Sequence, residues 1–112
     1  MSTETSSHEI RIGSIPVAGR LDALRATSLR KQIDEAIESG MVRLIIDLTN
    51  VEFVDSAGLA ALANGMKACR QRNGDLRVVG ATHPDAERVF SLTRFDQVFV
   101  MGETVEELLN SW

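Results

Sequence analysis

The run Val42-Arg-Leu-Ile-Ile-Asp-Leu48 limits the fold more than any other stretch of this chain. It is short, β-branched and nearly unbroken in its apolar character, the pattern of a strand covered on both faces. A strand of that kind needs a layer of structure on each side, and the residues around it supply the layers. Upstream, Leu29, Ile33, Ala36 and Ile37 recur at helical spacing from about Leu24 to Ser39, with Arg30, Lys31, Asp34, Glu35 and Glu38 mostly on the other side. Gly40 is placed to end that helix in a left-handed conformation. Downstream, a helix over about Ala57 to Arg72 turns Leu59, Leu62, Ala63, Met66 and Cys69 inward and stops at Asn73-Gly74. Leu76 to Gly80 reads as a second buried strand.

His83-Pro84 opens a further helix, with proline where no amide hydrogen is needed and His83 as its cap. Ala86, Val89 and Phe90 form its inner stripe. Val98 to Met101 reads as a last strand. Thr104 to Glu107 has the capping-box pattern and starts a final helix with Val105, Leu108, Leu109 and Trp112 on its apolar side. At the other end, Glu9 to Ile12 and Ile15 to Ala18 read as two short extended segments joined by a turn at Gly13-Ser14. Pro16 suits an edge strand or a bulge, and Gly19-Arg20-Leu21-Asp22 leads into the first helix. Strict alternation after the first pair of strands indicates an α/β domain: a mixed, largely parallel β-sheet packed with about four α-helices. Residues 1–8 read as a flexible polar tail and 9–112 as the single domain.

Composition narrows the function. The chain has 112 residues, 44% of them hydrophobic, enough for one ordinary core. One cysteine, Cys69, excludes an internal disulfide, fits a reducing cytoplasmic setting, and falls on an apolar stripe as inert core. A net charge of −4 with no basic run, and few aromatic residues, argues against direct nucleic-acid binding. No apolar stretch has the length of a membrane span, and the polar N-terminus lacks the features of a signal peptide. Two histidines and one cysteine make no convincing metal site, and no phosphate-binding glycine motif points to a nucleotide cofactor.

Function is expected where strands end and helices begin, and Phe53-Val54-Asp55-Ser56-Ala57-Gly58-Leu59 is such a junction. Asp55 is suited to cap the helix, and Gly58 to let the backbone approach a neighbour. Ser56 would occupy about the first helical position with its hydroxyl facing water. There a phosphate would be partly offset by the helix dipole and free amides while opposing any docked partner. Ala57, Ala60, Ala61, Asn64 and Ala68 fall largely off the buried stripe, where small residues would admit a partner helix; alanine's helix propensity explains the same pattern. Asp22 caps the first long helix, steadies its turn, or contacts a partner. Asp47, inside a buried strand, reads as a hydrogen-bonded structural carboxylate. Ser56, His83 and Asp55 have the residue types of a hydrolase triad. However, Asp55 adjoins Ser56 and there is no nucleophile elbow, so no catalytic residue is assigned.

Gly19-Arg20-Leu21-Asp22, Leu44-Ile45-Ile46-Asp47-Leu48, the segment Val51 to Leu59, and the later Pro84 with Val89-Phe90 together resemble the STAS domains of the bacterial anti-sigma factor antagonist family. The resemblance runs from about Glu9 to Trp112. It implies the STAS fold and an interaction module rather than an enzyme. It implies that Ser56 is phosphorylated by a partner anti-sigma factor that is itself a serine kinase, that unphosphorylated chain binds this partner and frees a sigma factor, and that a serine phosphatase of the metal-dependent type resets the cycle. Arg20, Asp22, Asp55, Ser56, Ala57, Gly58, Ala60, Ala61 and Asn64 become the expected partner-binding residues, with a monomer favoured. Many members carry Ser or Thr after the phosphorylated serine; this chain has Ala57, as do STAS subunits of lipid-transporting ABC systems. A constitutive subunit of such a transporter or of a sensory assembly is therefore the alternative.

Overall fold

A computed structural model describes residues 11–112. The proposed tail at 1–8 and the expected strand residues Glu9 and Ile10 lie outside the described residues. Strand β1 (Ile12–Leu21) is followed by helix α1 (Ala23–Glu38), β2 (Arg43–Val54), α2 (Ser56–Arg70), β3 (Asp75–Val79), α3 (Pro84–Thr93), a 3-10 turn (Phe95–Gln97), β4 (Met101–Gly102) and α4 (Val105–Asn110). The strands lie in the order β1-β2-β3-β4, every neighbouring pair parallel. The expected α/β architecture with four helices is the observed one.

The sheet explains the unbroken apolar character of Val42 to Leu48. Leu44, Ile46 and Leu48 turn to one face, where they pack with Leu29 and Ile33 of α1, Leu59 and Leu62 of α2, and Ala86 and Phe90 of α3. Ile45 turns to the other face and meets Val79 and Leu108 of α4, with Ile12, Val105 and Trp112 at the margin. Burying a side chain of this size contributes about 1.5–3 kcal/mol, so a central strand served by two layers is a strong organiser. The end of the chain is tied down by Arg77. Its guanidinium lies 4.0 Å from the Trp112 ring centroid, and it donates to Asp75 Oδ2 (3.4 Å) and to Ser111 Oγ (3.4 Å).

Several expectations are corrected. Gly13-Ser14 is no turn: β1 runs through it as one strand, with Gly13 opposite Leu44 and Ser14 opposite Ile45. Tertiary pairing overrides local turn composition, and a Cβ at Gly13 would meet the flexible Met41 side chain. Gly19, Arg20 and Leu21 are the end of β1 rather than a lead into the helix. Register shifts between Pro16 and Ala18 and between Gly19 and Arg20 accommodate Pro16 and the positive φ of +77° at Gly19. The last strand is only Met101–Gly102, because Phe95–Gln97 coils and Phe99 turns into the core beside Phe90 and Phe95. Leu109 is 41% exposed; in so short a helix Leu108 is the buried residue, with Val105 packed at the margin.

Other expectations hold. Gly40 adopts φ +93° after α1. His83 Nδ1 accepts from Asp85 N, and Thr104 Oγ1 accepts from Glu107 N, so both cap their helices. Asp47 accepts from the amide and hydroxyl of Thr49, a structural role. Cys69 is fully buried; desolvation first, and the negative charge of Asp75 second, push its thiol up to about 11. At neutral pH it stays protonated and unreactive.

Candidate functional site

The carboxyl ends of β1 and β2 lie side by side, with Arg20 opposite Phe53 and Leu21 opposite Val54. Each strand passes through a single extended aspartate into a helix: Asp22 before α1 (φ −100°, ψ −170°) and Asp55 before α2 (φ −114°, ψ −174°). Extended backbone at the cap turns the carboxylate back over the first helical amides. Asp55 Oδ1 accepts from Ala57 N at 2.9 Å and Gly58 N at 3.1 Å, and Asp22 Oδ1 accepts from Arg25 N at 3.2 Å.

Ser56 is the first residue of α2 and is exposed. Its neighbours are fixed. Asp55 N donates to the carbonyl of Leu21 at 3.3 Å. Gly58 is buried so tightly that an added Cβ would stand 2.6 Å from the same carbonyl oxygen and 2.9 Å from Val54 Cγ2. Glycine is needed here for close approach, not for an unusual φ. Ser56 is thus an exposed residue on a junction whose Asp55 and Gly58 are held against the end of β1.

Of the sequence-derived site residues, Arg20, Ser56 and Asn64 are exposed, while Asp22, Asp55, Ala57 and Ala60 are partly so. Gly58 and Ala61 lie in the interior, and Ala61 is only 1% exposed. The readings of Gly58 and Ala61 as docking residues are corrected: Gly58 is packed against Leu21 and Val54, and Ala61 lies toward α1. Small residues on that side admit the chain's own α1: Ala61 and Gly65 face Ile33 and Asp34 across the inter-helix groove, and a Cβ on Gly65 would lie 3.0 Å from Ile33 Cδ1. The side of α2 left open runs through Ala57, Ala60 and Asn64, at spacings of three and four. The free amides expected to meet a phosphate are not all free, because Asp55 already holds those of Ala57 and Gly58.

Two features escaped sequence reasoning. The Arg20 guanidinium sits 4.0 Å from the centroid of the Phe53 ring, and its Nε is 3.9 Å from Asp22 Oδ2. Leu24, in the first turn of α1, is 83% exposed beside the open groove that holds Arg20, Asp22 and Arg25. The cross-strand pairing that joins Arg20 to Phe53 has no local signature. Leu24 did carry one, since it falls off the Leu29-Ile33-Ile37 stripe. The hydrolase triad gains no support: the Asp55 oxygen and the His83 nitrogen are each engaged in capping a different helix.

A family model for the STAS domain matches residues 6–108. The chain belongs to the STAS domain family. Among curated relatives, the anti-sigma-B factor antagonist of Listeria monocytogenes is 35% identical over 77 residues, 68% of this chain and 63% of that protein. The match therefore spans less than two thirds of that relative. A solved anti-sigma factor antagonist from Mycobacterium paratuberculosis is 31% identical, with a TM-score of 0.76 over 88% of this STAS chain and 82% of the other. Two more distant structures share the fold alone. One is the phosphorylated form of the Bacillus cell fate determinant SpoIIAA (21% identity, TM-score 0.69, 93% of each chain). The other is a sulfate transporter family protein from Wolinella succinogenes (17% identity, TM-score 0.74, 99% of this chain and 93% of the other).

Proposed function

We propose that this STAS domain is an anti-sigma factor antagonist that docks an anti-sigma factor through the open side of α2 and the Arg20–Asp22 turn, and that phosphorylation of Ser56 releases it. The observation that carries the reading is an exposed hydroxyl at the first position of α2, held by a junction otherwise pinned to β1. The names of the two relatives above 30% identity support the partner class. The partner is a serine kinase: the γ-phosphoryl of ATP passes to Ser56 Oγ, ADP leaves, and the hydroxyl proton goes to a base on the kinase. A metal-dependent serine phosphatase hydrolyses the ester, restoring the hydroxyl and releasing inorganic phosphate. The STAS chain itself performs no catalysis; it is a binding protein and a substrate, working in the cytoplasm as a monomer.

A phosphate brings a charge of about −1.5 to −2 to a surface that must lose water to dock. A penalty of about 3 kcal/mol weakens binding roughly 100-fold, enough for an on–off switch. The test is incubation with the partner kinase and ATP, followed by mapping of the phosphate. Label at Ser56, absent from Ser56→Ala, is expected. Label elsewhere, or partner binding that is equal for Ser56→Ala and Ser56→Asp, would leave a constitutive subunit as the better description.

A further inference from the structure

The start of a helix usually offers its free amides to an anion. At α2 those of Ala57 and Gly58 already bond to Asp55 Oδ1. A phosphate on Ser56 would meet the Asp55 carboxylate as a neighbour and would find the amides of Ala57 and Gly58 already occupied. A cation close by would offset that repulsion. Arg20 is directly opposite Phe53 in the β1–β2 ladder, three residues before Ser56. That is roughly 10 Å of extended chain, a gap that a long guanidinium arm and a phosphoserine reaching back can close between them.

Arg20 is also available. Its side chain is 64% exposed, and its tie to Asp22 is long at 3.9 Å, the kind of surface pair that contributes little. Stacking on Phe53 holds the guanidinium at the sheet end without using its N–H donors. A guanidinium binds a phosphate through paired hydrogen bonds and prefers it to a single exposed carboxylate.

We propose that Arg20 is the internal receiver of the Ser56 phosphate, turning from Asp22 to the phosphoryl oxygens when the serine is modified. The proposal rests on the reading of Ser56 as a phosphorylation site. One modification then changes two parts of the docking surface: it adds charge at α2 and releases Oδ2 of Asp22 beside α1, while Oδ1 keeps its cap on Arg25 N. The modified chain also keeps its fold, because the new charge is met inside the same molecule.

The test uses the 112-residue chain carrying phosphoserine at 56, installed during synthesis so that no kinase is required. Its phosphate is titrated by phosphorus NMR in the wild type, in Arg20→Gln and in Arg25→Gln. The wild-type second pKa is expected below the ordinary phosphoserine value of about 6. Arg20→Gln should raise it by at least about half a unit, and Arg25→Gln by clearly less. In the wild type, the Arg20 Nε–H resonance should move with the same midpoint, which gives an answer even if a variant folds poorly. A phosphate that titrates identically with and without Arg20, an equal shift in Arg25→Gln, or an Arg20 resonance indifferent to the titration overturns the proposal. Failure of the kinase to label Ser56 is a separate result that strikes the functional reading instead.

Discussion

The chain turns from strand to helix at Leu21-Asp22-Ala23 and again at Val54-Asp55-Ser56, at the same end of the sheet and with the same device, an extended aspartate over the first amides. The α1 cap makes one bond of 3.2 Å, and an exposed leucine, Leu24, follows in the first turn. The α2 cap makes two bonds, its amide is tied to the Leu21 carbonyl, and Gly58 is wedged against that same oxygen. The residue after the cap is Ala23 in one case and Ser56 in the other. Capping alone therefore does not set α2 apart. What distinguishes α2 is an exposed serine on a junction pinned to β1; on the proposed reading, a change at that one oxygen would be met by a partner and not absorbed by the domain.

The contrast can be broken most forcefully at Gly58. Gly58→Ala places a methyl group 2.6 Å from backbone oxygen, which cannot swing away as a side chain would. A loss of at least about 2 kcal/mol is expected in denaturant unfolding, within the usual cost of overpacking. The analogous change at Gly19, where nothing lies within 4 Å of an added Cβ, meets strain only through its φ of +77° and should cost less. The caps come next. Asp55→Ala is expected to cost about 1–2 kcal/mol and Asp22→Ala about 0.5–1 kcal/mol, both read from the unfolding midpoint. Equal losses would show that the second bond at α2 contributes nothing. The smallest effect belongs to Ser56→Ala: an exposed first-turn serine should change stability by no more than about 0.5 kcal/mol, while removing the proposed site of modification altogether.

How far the sequence was legible follows the range of the interactions involved. Short-range signals read correctly: the helix starts at Asp55, His83 and Thr104, the left-handed Gly40, and the doubly covered run ending at Leu48 each depend on residues a few places apart. Gly13-Ser14 has turn composition but lies inside β1, because turn composition is a local preference that pairing with Leu44 and Ile45 outweighs. Val98 to Met101 has strand composition, yet Phe99 gains more by packing against Phe90 and Phe95. Ala61 lay off the main stripe of α2 and looked free; only the placement of α1 shows that it is covered. At the candidate site, Ser56, Asp55 and Asp22 were legible as residues. The stacking of Arg20 on Phe53 was not, since it depends on which strand lies beside which and in what register.

The central claim is that a phosphate on Ser56 controls docking without disturbing the fold. The most direct measurement takes phosphorylated and unmodified chain side by side, recording the amide NMR spectrum of each and its affinity for the partner anti-sigma factor. The expected result is a spectrum changed only near Ser56, Arg20 and Asp22, with affinity lower by roughly 100-fold, about 3 kcal/mol. Equal affinities, or a spectrum showing that the phosphorylated domain has lost its β1–β2 pairing, would contradict it.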